Sequence, residues 1–205
     1  DFDCSRHPGA VGIYFASAQK SVIFNVKVNA VNAHTGIWGI PGRNSGAMNI
    51  EVQGGKIGLY TTNFLAGTTI VGVKLFDQTE SAFVTDDFVP ACVVGFHIRK
   101  KTAPVITLTG KPYDLWGGTE MMTAKGTMAL IDGMIELENK NKAVLIDNNA
   151  GKSFYARNVY VKGYHEFIKS GTQAAVSGTG AWYCIQEYCY NDQRLDKDDP
   201  PYEEQ

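Results

Sequence analysis

The sequence lacks the features that mark several large classes of protein. Its apolar runs fall short of the roughly 18 residues that a membrane-spanning helix needs, so no membrane association is predicted. The formal net charge of −2 leaves no basic excess, which argues against a nucleic-acid partner. The four cysteines include no CxxC pair, so no metal site is predicted, and nothing in the sequence indicates a cofactor.

A sustained amphipathic helix is missing too, and a shorter periodicity takes its place. Segments that alternate apolar and polar residues recur along the chain, which is the pattern of half-buried β-strands. The first four segments follow one another at steps of 24, 23 and 23 residues. The first apolar residues of the segments are Val26, Ile50, Val73, Phe96, Ile135 and Val159. The longer step from Phe96 to Ile135 predicts an insertion of about 15 residues.

A second motif precedes each of the first four segments and supplies a second strand to each repeat. It reads Gly12-Ile13-Tyr14, Gly36-Ile37-Trp38, Gly58-Leu59-Tyr60 and Ser81-Ala82-Phe83. Such a repeat is too short for a strand–helix–strand unit, and the LxxLxLxxN pattern of leucine-rich repeats is absent. The sequence therefore predicts an all-β fold, a right-handed parallel β-helix (solenoid) with coils of about 23–25 residues.

The β-helix is predicted over residues 1–190, and it starts in mid-coil, because Asp1-Phe2-Asp3 reads as the end of an earlier coil. Residues 191–205 contain six acidic residues, two basic residues and two prolines, so an acidic tail or linker is expected there. We also expect the chain to be one part of a longer polypeptide, since the ends of a solenoid need caps.

Stacked coils align equivalent side chains at a spacing of about 4.8 Å. Two predicted inward columns are wholly apolar, as a dry core requires. They are Val26, Ile50, Val73, Phe96, Ile135 and Val159, and Val28, Val52, Leu75, Ile98, Leu137 and Val161. A third column precedes each strand and holds residues that tolerate a left-handed bend, namely Asn25, Asn49, Gly72, Gly95 and Asn158.

Aromatic residues of the second motif form a further column, which consists of Tyr14, Trp38, Tyr60 and Phe83. Rings stacked in the core are the favoured interpretation of this column. A strip of rings that stack on sugars is the alternative.

The outward columns bring charged residues of successive coils together. The richest patch holds His97, Arg99, Glu136, Glu138 and Lys162. Alternating charge on a sheet face is also what a purely structural ion-pair network would show, and this interpretation remains open.

The patch contains groups that carbohydrate chemistry uses. Glu136 and Glu138 are candidate catalytic residues, because carboxylates two residues apart on a strand suit the spacing of an inverting glycosidase. Arg99 or Lys162 could instead serve a lyase that acts on a uronic acid. Candidate substrate-binding residues are His97, Arg99 and Lys162 on the strands, and Tyr113 and Trp116 on the predicted insertion, whose rings could stack on a sugar.

The repeat segments over residues 36–38, 48–60 and 69–75 resemble those of the pectate-lyase-like right-handed β-helix superfamily. They look most like the β-helices of glycoside hydrolase family 55, the exo-β-1,3-glucanases. The resemblance covers residues 1–100 and continues more loosely over 128–190. It implies a secreted or extracellular carbohydrate-active protein. In family 55 catalysis takes place between two paired β-helices. No stretch here matches the catalytic acid of that family, so the resemblance assigns no catalytic residue.

Two functions follow as expectations. In the first, the chain is part of a carbohydrate-active protein, a glycoside hydrolase or polysaccharide lyase, and its partners are a polysaccharide and the remainder of a longer chain or a second β-helix. In the second, the chain is a non-catalytic solenoid that binds glycans, acts as an adhesin-like module or serves a structural role.

Overall fold

The computed structural model describes residues 1–17, 19–41, 44–61, 67–85, 91–109, 127–138, 143–171 and 173–190. Within these ranges the chain forms sixteen β-strands and no helix, and it winds into a parallel β-solenoid of about six turns. The predicted all-β solenoid is confirmed. Right-handed winding is the sense that connections between parallel strands favour. No helix in the described ranges could cross a membrane. The part of the predicted insertion that carries Tyr113 and Trp116, and the predicted tail 191–205, lie outside these ranges.

Each coil contributes one strand to each of two eight-stranded sheets. Sheet A contains, in spatial order, β1 (Phe2–Asp3), β3 (Val22–Asn29), β5 (Ser45–Gln53), β7 (Thr68–Phe76), β9 (Ala91–Lys100), β11 (Thr127–Leu137), β13 (Ser153–Lys162) and β16 (Tyr183–Tyr190). Sheet B contains β2 (Val11–Tyr14), β4 (Thr35–Trp38), β6 (Ile57–Thr61), β8 (Ser81–Thr85), β10 (Ile106–Leu108), β12 (Val144–Asp147), β14 (Glu166–Ser170) and β15 (Gln173–Ser177).

The strands pair in parallel until the last coil, where both sheets end on an antiparallel strand. β16 runs antiparallel to β13, and β15 runs antiparallel to β14. The last strands also carry core residues, because Ile185 is buried and the ring of Tyr188 packs on Phe154 and Phe167. The coil repeat therefore stops at β14.

A left-handed residue bends each of the long parallel strands of sheet A, from β3 to β13. The predicted bend column is confirmed, with φ angles between 52° and 68°, and Asp132 supplies the member that the sequence alignment left empty. In β5 the bend leaves Met48 and Asn49 both exposed between the buried Ala47 and Ile50. The bend thus interrupts the two-residue alternation and divides the outer surface of sheet A into two halves.

Side chains reinforce the bend column. The Asn49 Nδ2 donates to Asn25 Oδ1 at 2.8 Å, and the Asn158 Nδ2 donates to Asp132 Oδ1 at 2.8 Å. Asparagine combines tolerance of a positive φ with an amide that can bond the next coil.

Replacing Asn49 with alanine should lower the free energy of unfolding by about 1–2 kcal/mol, because alanine disfavours the left-handed conformation and loses the amide hydrogen bond. Asn49→Gly is the matched control, since glycine adopts φ 52° without strain and loses only the hydrogen bond. Urea unfolding should rank the proteins wild type, Asn49→Gly, Asn49→Ala in falling order of stability. An alanine variant as stable as the glycine variant would contradict this account.

The inward columns are buried except at Val26, which is partly buried, but their predicted register is wrong at β11. Phe96 faces Gly133 rather than Ile135, and Ile135 faces Ile98 and Val161. Ile135 therefore belongs to the second column, in the place predicted for Leu137, and Leu137 faces Lys100. Because side chains alternate with a period of two, this two-residue displacement keeps Ile135 and Leu137 buried.

Packing explains the displacement. A Cβ atom added to Gly133 would lie 2.2 Å from the ring of Phe96, so only glycine fits beside this ring. The other members of the column are branched aliphatic residues of moderate size. One large residue and one residue without a side chain together fill the volume that two of these would fill.

Candidate functional site

The predicted patch lies on the outer surface of sheet A, in the half that follows the bend. β9 carries His97 and Arg99, β11 carries Glu136 and β13 carries Lys162. The register at β11 places Glu136 directly between Arg99 and Lys162, whereas the sequence alignment placed it between His97 and Tyr160. The displaced strand thus moves the carboxylate two residues along the sheet.

Glu136 nevertheless bonds to His97. The imidazole Nε2 and the carboxylate Oε1 are 2.9 Å apart, across the diagonal between β9 and β11. Both side chains are partly exposed. The pair presents a carboxylate and an imidazole to solvent at one point, and both can exchange hydrogen bonds with a hydroxyl group.

Arg99 belongs to a second group of contacts on the same surface. Its guanidinium lies 5.0 Å from the ring centroid of Phe76, and its Nη2 lies 3.4 Å from Asp77 Oδ2. The same carboxylate oxygen accepts a hydrogen bond of 2.7 Å from Gln53 Nε2. The Phe76 ring also packs edge-on against His97, with centroids 5.1 Å apart. Phe76 therefore links the two groups into one cluster.

Aromatic rings flank the cluster on its C-terminal side. The Lys162 Nζ lies 5.4 Å from the ring centroid of Trp182, and Trp182 and Tyr160 are about half exposed. Sequence reasoning missed Trp182, because this residue precedes an antiparallel strand that does not follow the repeat. Tyr113 and Trp116, which were predicted to supply these rings, lie outside the described residues.

Glu138 lies one residue beyond the end of β11 and is exposed, and its backbone N–H donates to the Lys100 carbonyl oxygen at 3.0 Å. The assignment of Glu136 and Glu138 as catalytic residues stays a prediction.

In the described part of the chain, no three His, Cys, Asp or Glu side chains are grouped so that they could hold a metal ion. We call the surface the polar face and define it by Gln53, Phe76, Asp77, His97, Arg99, Glu136, Tyr160, Lys162 and Trp182.

The aromatic column of sheet B is not in the core, contrary to the favoured interpretation. Tyr14, Trp38 and Tyr60 face one another on β2, β4 and β6. Tyr14 is 71% exposed, and neither Trp38 nor Tyr60 belongs to the buried core cluster. Phe83 alone is buried, at 2% exposure, and it faces Leu59 rather than Tyr60.

Comparisons of the sequence with models of known protein families and with curated proteins find no match. The solenoid architecture is consistent with a β-helix superfamily. The closer likeness to family 55 stays a prediction that rests on the repeat segments.

Proposed function

We propose that the polar face binds an extended glycan, and that the chain provides this binding surface to a secreted or extracellular carbohydrate-active protein. One observation carries the proposal: charged side chains on adjacent parallel strands lie beside two exposed rings, Tyr160 on β13 and Trp182 just before the antiparallel strand β16. Sugar-binding surfaces combine rings that stack on the apolar face of a pyranose with polar groups that bond its hydroxyls.

A purely structural ion-pair network explains fewer features of this surface than a glycan-binding site does. The Lys27–Glu51 bridge of 2.7 Å, on the same side of sheet A, shows what such a network requires: two opposite charges on adjacent coils. Exposed ion pairs contribute little to stability, and a network of opposite charges does not require an exposed tryptophan beside it. The rings at 160 and 182 therefore favour a ligand.

The arrangement supports binding more than autonomous catalysis. Glu136 is engaged by His97, and the second predicted carboxylate, Glu138, lies beyond the end of the strand. If the whole protein cleaves its glycan as a hydrolase or a lyase, the remaining catalytic groups would come from the remainder of a longer chain or from a second β-helix.

Replacing Trp182 with alanine should weaken glycan binding about tenfold, which corresponds to about 1.4 kcal/mol, because the ring that stacks on the sugar is removed. The measurement is calorimetric titration with β-glucans and with uronate polymers. Lys27→Gln is the matched control, since Lys27 belongs to an ion pair on the same surface and is not part of the polar face. The proposal is wrong if wild type binds neither polymer class, or if Trp182→Ala binds as wild type does.

The same titrations decide the predicted chemistry when turnover is measured in parallel. A catalytic Glu136 or Glu138 requires that wild type cleaves a polymer and that Glu136→Gln or Glu138→Gln abolishes cleavage while binding persists. If wild type binds a polymer but does not cleave it, the catalytic assignment of Glu136 and Glu138 is wrong for this chain and only the binding function stands.

A further inference from the structure

The outer surface of sheet B carries an aligned row of side chains that the polar face does not include. Its members face one another strand by strand and are Tyr14, Trp38, Tyr60, Val84, Thr107, Asp147 and Lys169. Six steps between adjacent strands give the row a length of about 29 Å along the solenoid axis. We call it the sheet B row.

The first three positions of the row are aromatic. The rings of Trp38 and Tyr60 meet edge-to-face with centroids 4.5 Å apart, and the His34 ring stacks on Trp38 with centroids 6.4 Å apart. Tyr14 continues the row on the preceding coil and is largely exposed. These contacts hold the rings of Trp38 and Tyr60 in place, so ligand binding would cost these two side chains little conformational entropy.

The far end of the row is polar and concave. Asp147 and Lys169 line an open groove of about 290 Å³ together with Ala103, Pro104, Val144 and Asn149. The Asn149 Nδ2 donates to Asp147 Oδ2 at 2.9 Å, which fixes the orientation of the carboxylate. The groove lies in line with the aromatic positions because Asp147 faces Thr107, which in turn faces Val84.

We infer that the sheet B row is a second binding site, which takes a linear glycan of neutral sugars aligned with the solenoid axis. Strand spacing of about 4.8 Å is close to the length of one sugar unit in an extended chain, so successive sugars meet successive strands. The aromatic positions carry no charge, and they suit the apolar faces of pyranose rings. The groove offers a carboxylate, an amide and an ammonium group to hydroxyls at the other end of the same chain.

A peptide strand fits this row less well than a glycan does. An extended peptide is recognised through the unpaired edge of a sheet, whereas six of the seven row residues lie on strands that are already paired on both sides, and only Tyr14 lies on the edge strand β2. The inference goes beyond the proposed function, because the row and the polar face belong to different sheets and share no residue.

The test uses short β-1,3-linked and β-1,4-linked glucose oligosaccharides, which avoid the avidity of a polymer. In a chain with Trp116→Phe and Trp182→Phe, Trp38 is the sole tryptophan, and its fluorescence should change on titration with a hexasaccharide. Tyr14→Ala should weaken hexasaccharide binding roughly tenfold, since Tyr14 is exposed and its loss does not threaten folding. Phe24→Ala, which removes an exposed ring on sheet A, is the matched control and should have no effect.

Oligosaccharides of different length distinguish binding at the aromatic end of the row from binding at the groove. Lys169→Gln should weaken binding of the hexasaccharide severalfold and leave a trisaccharide unaffected, because only the longer ligand reaches the groove. The inference is overturned if no oligosaccharide changes the Trp38 fluorescence, or if Tyr14→Ala binds the hexasaccharide as tightly as the control. The two sites can fail independently. If the polar face does not bind glycan but the sheet B row does, Trp182→Ala will bind polymers as wild type does, while Tyr14→Ala will bind the hexasaccharide more weakly.

Discussion

Replacing Gly133 with valine should destabilise the solenoid by about 3 kcal/mol, and replacing Phe96 with valine at the same time should restore much of that loss. Any side chain at position 133 meets the Phe96 ring, since even a Cβ atom would lie 2.2 Å from it. Phe96→Val alone should cost about 2 kcal/mol through the cavity that it leaves. The double variant places two valines where the neighbouring coils have Val73 and Val159, so its core should pack as theirs does.

The measurement is a double-mutant cycle from urea unfolding of the four proteins. We expect the double variant to be more stable than Gly133→Val and the coupling energy to be at least about 2 kcal/mol. Gly133→Val combined with Ile50→Val serves as the control cycle, because Ile50 lies in the same column but two coils from the clash. Additive effects in both cycles would show that Phe96 is not what excludes a side chain at 133.

The repeat itself was predictable, but the register at β11 was not. The first four coils have nearly constant length, so counting residues aligns them. The insertion after Arg99 has no repeat length, so counting cannot align β11 with β9. The apolar pattern cannot replace it, because a two-residue displacement presents the same alternation. Asp132 marks the true register, since its φ of 52° places it in the bend column with Gly95 and Asn158.

The prediction that the aromatic column lies in the core was wrong for a related reason. The sequence alignment placed Phe83 beside Tyr60, but in the structure Leu59 faces Phe83 and Tyr60 faces Val84. A displacement of one residue moves a side chain to the opposite face of a strand. Aligning the buried Phe83 with Tyr60 thus assigned three surface rings, Tyr14, Trp38 and Tyr60, to the core. Only Phe83 was assigned to the correct face.

The polar face was predictable in position and not in contacts. His97, Arg99 and Lys162 lie on the outer surface as the alternation predicts. The pairing of Arg99 with Asp77 depends on a residue that follows the end of β7, and Trp182 comes from the antiparallel end of the solenoid. Neither position belongs to the repeat, so periodicity gives no signal for them.

A buried lysine was also missed, because the predicted inward columns are wholly apolar. Lys100, at the end of β9, is fully buried opposite Leu137. Its Nζ donates to the carbonyl oxygens of Glu80 at 2.5 Å and Pro104 at 2.8 Å. Burial lowers the pKa of Lys100 from 10.5 to about 8, and the nearby Glu80 carboxylate opposes the shift only in part.

Between pH 8 and pH 10.5 the stability of wild type should therefore rise relative to that of Lys100→Met. In this range the unfolded chain holds the Lys100 proton and the folded chain has released it, so the unfolded state binds more protons and stability increases with pH. The full difference amounts to about 3 kcal/mol. Burial raises the pKa values of Tyr164 and Cys92, and these groups act in the opposite direction, so the wild-type profile alone is not diagnostic.

Subtracting the profile of Lys100→Met removes the contributions of these other groups, because both proteins contain them. Urea unfolding at half-unit steps from pH 7 to pH 10.5 gives the difference directly, whatever the offset that the lost carbonyl hydrogen bonds cause at neutral pH. Lys74→Met, at an exposed position on β7, is the matched control and should follow wild type across the range. Parallel profiles for wild type and Lys100→Met would show that the buried ammonium keeps its proton, which would mean that the two carbonyl oxygens compensate for its burial.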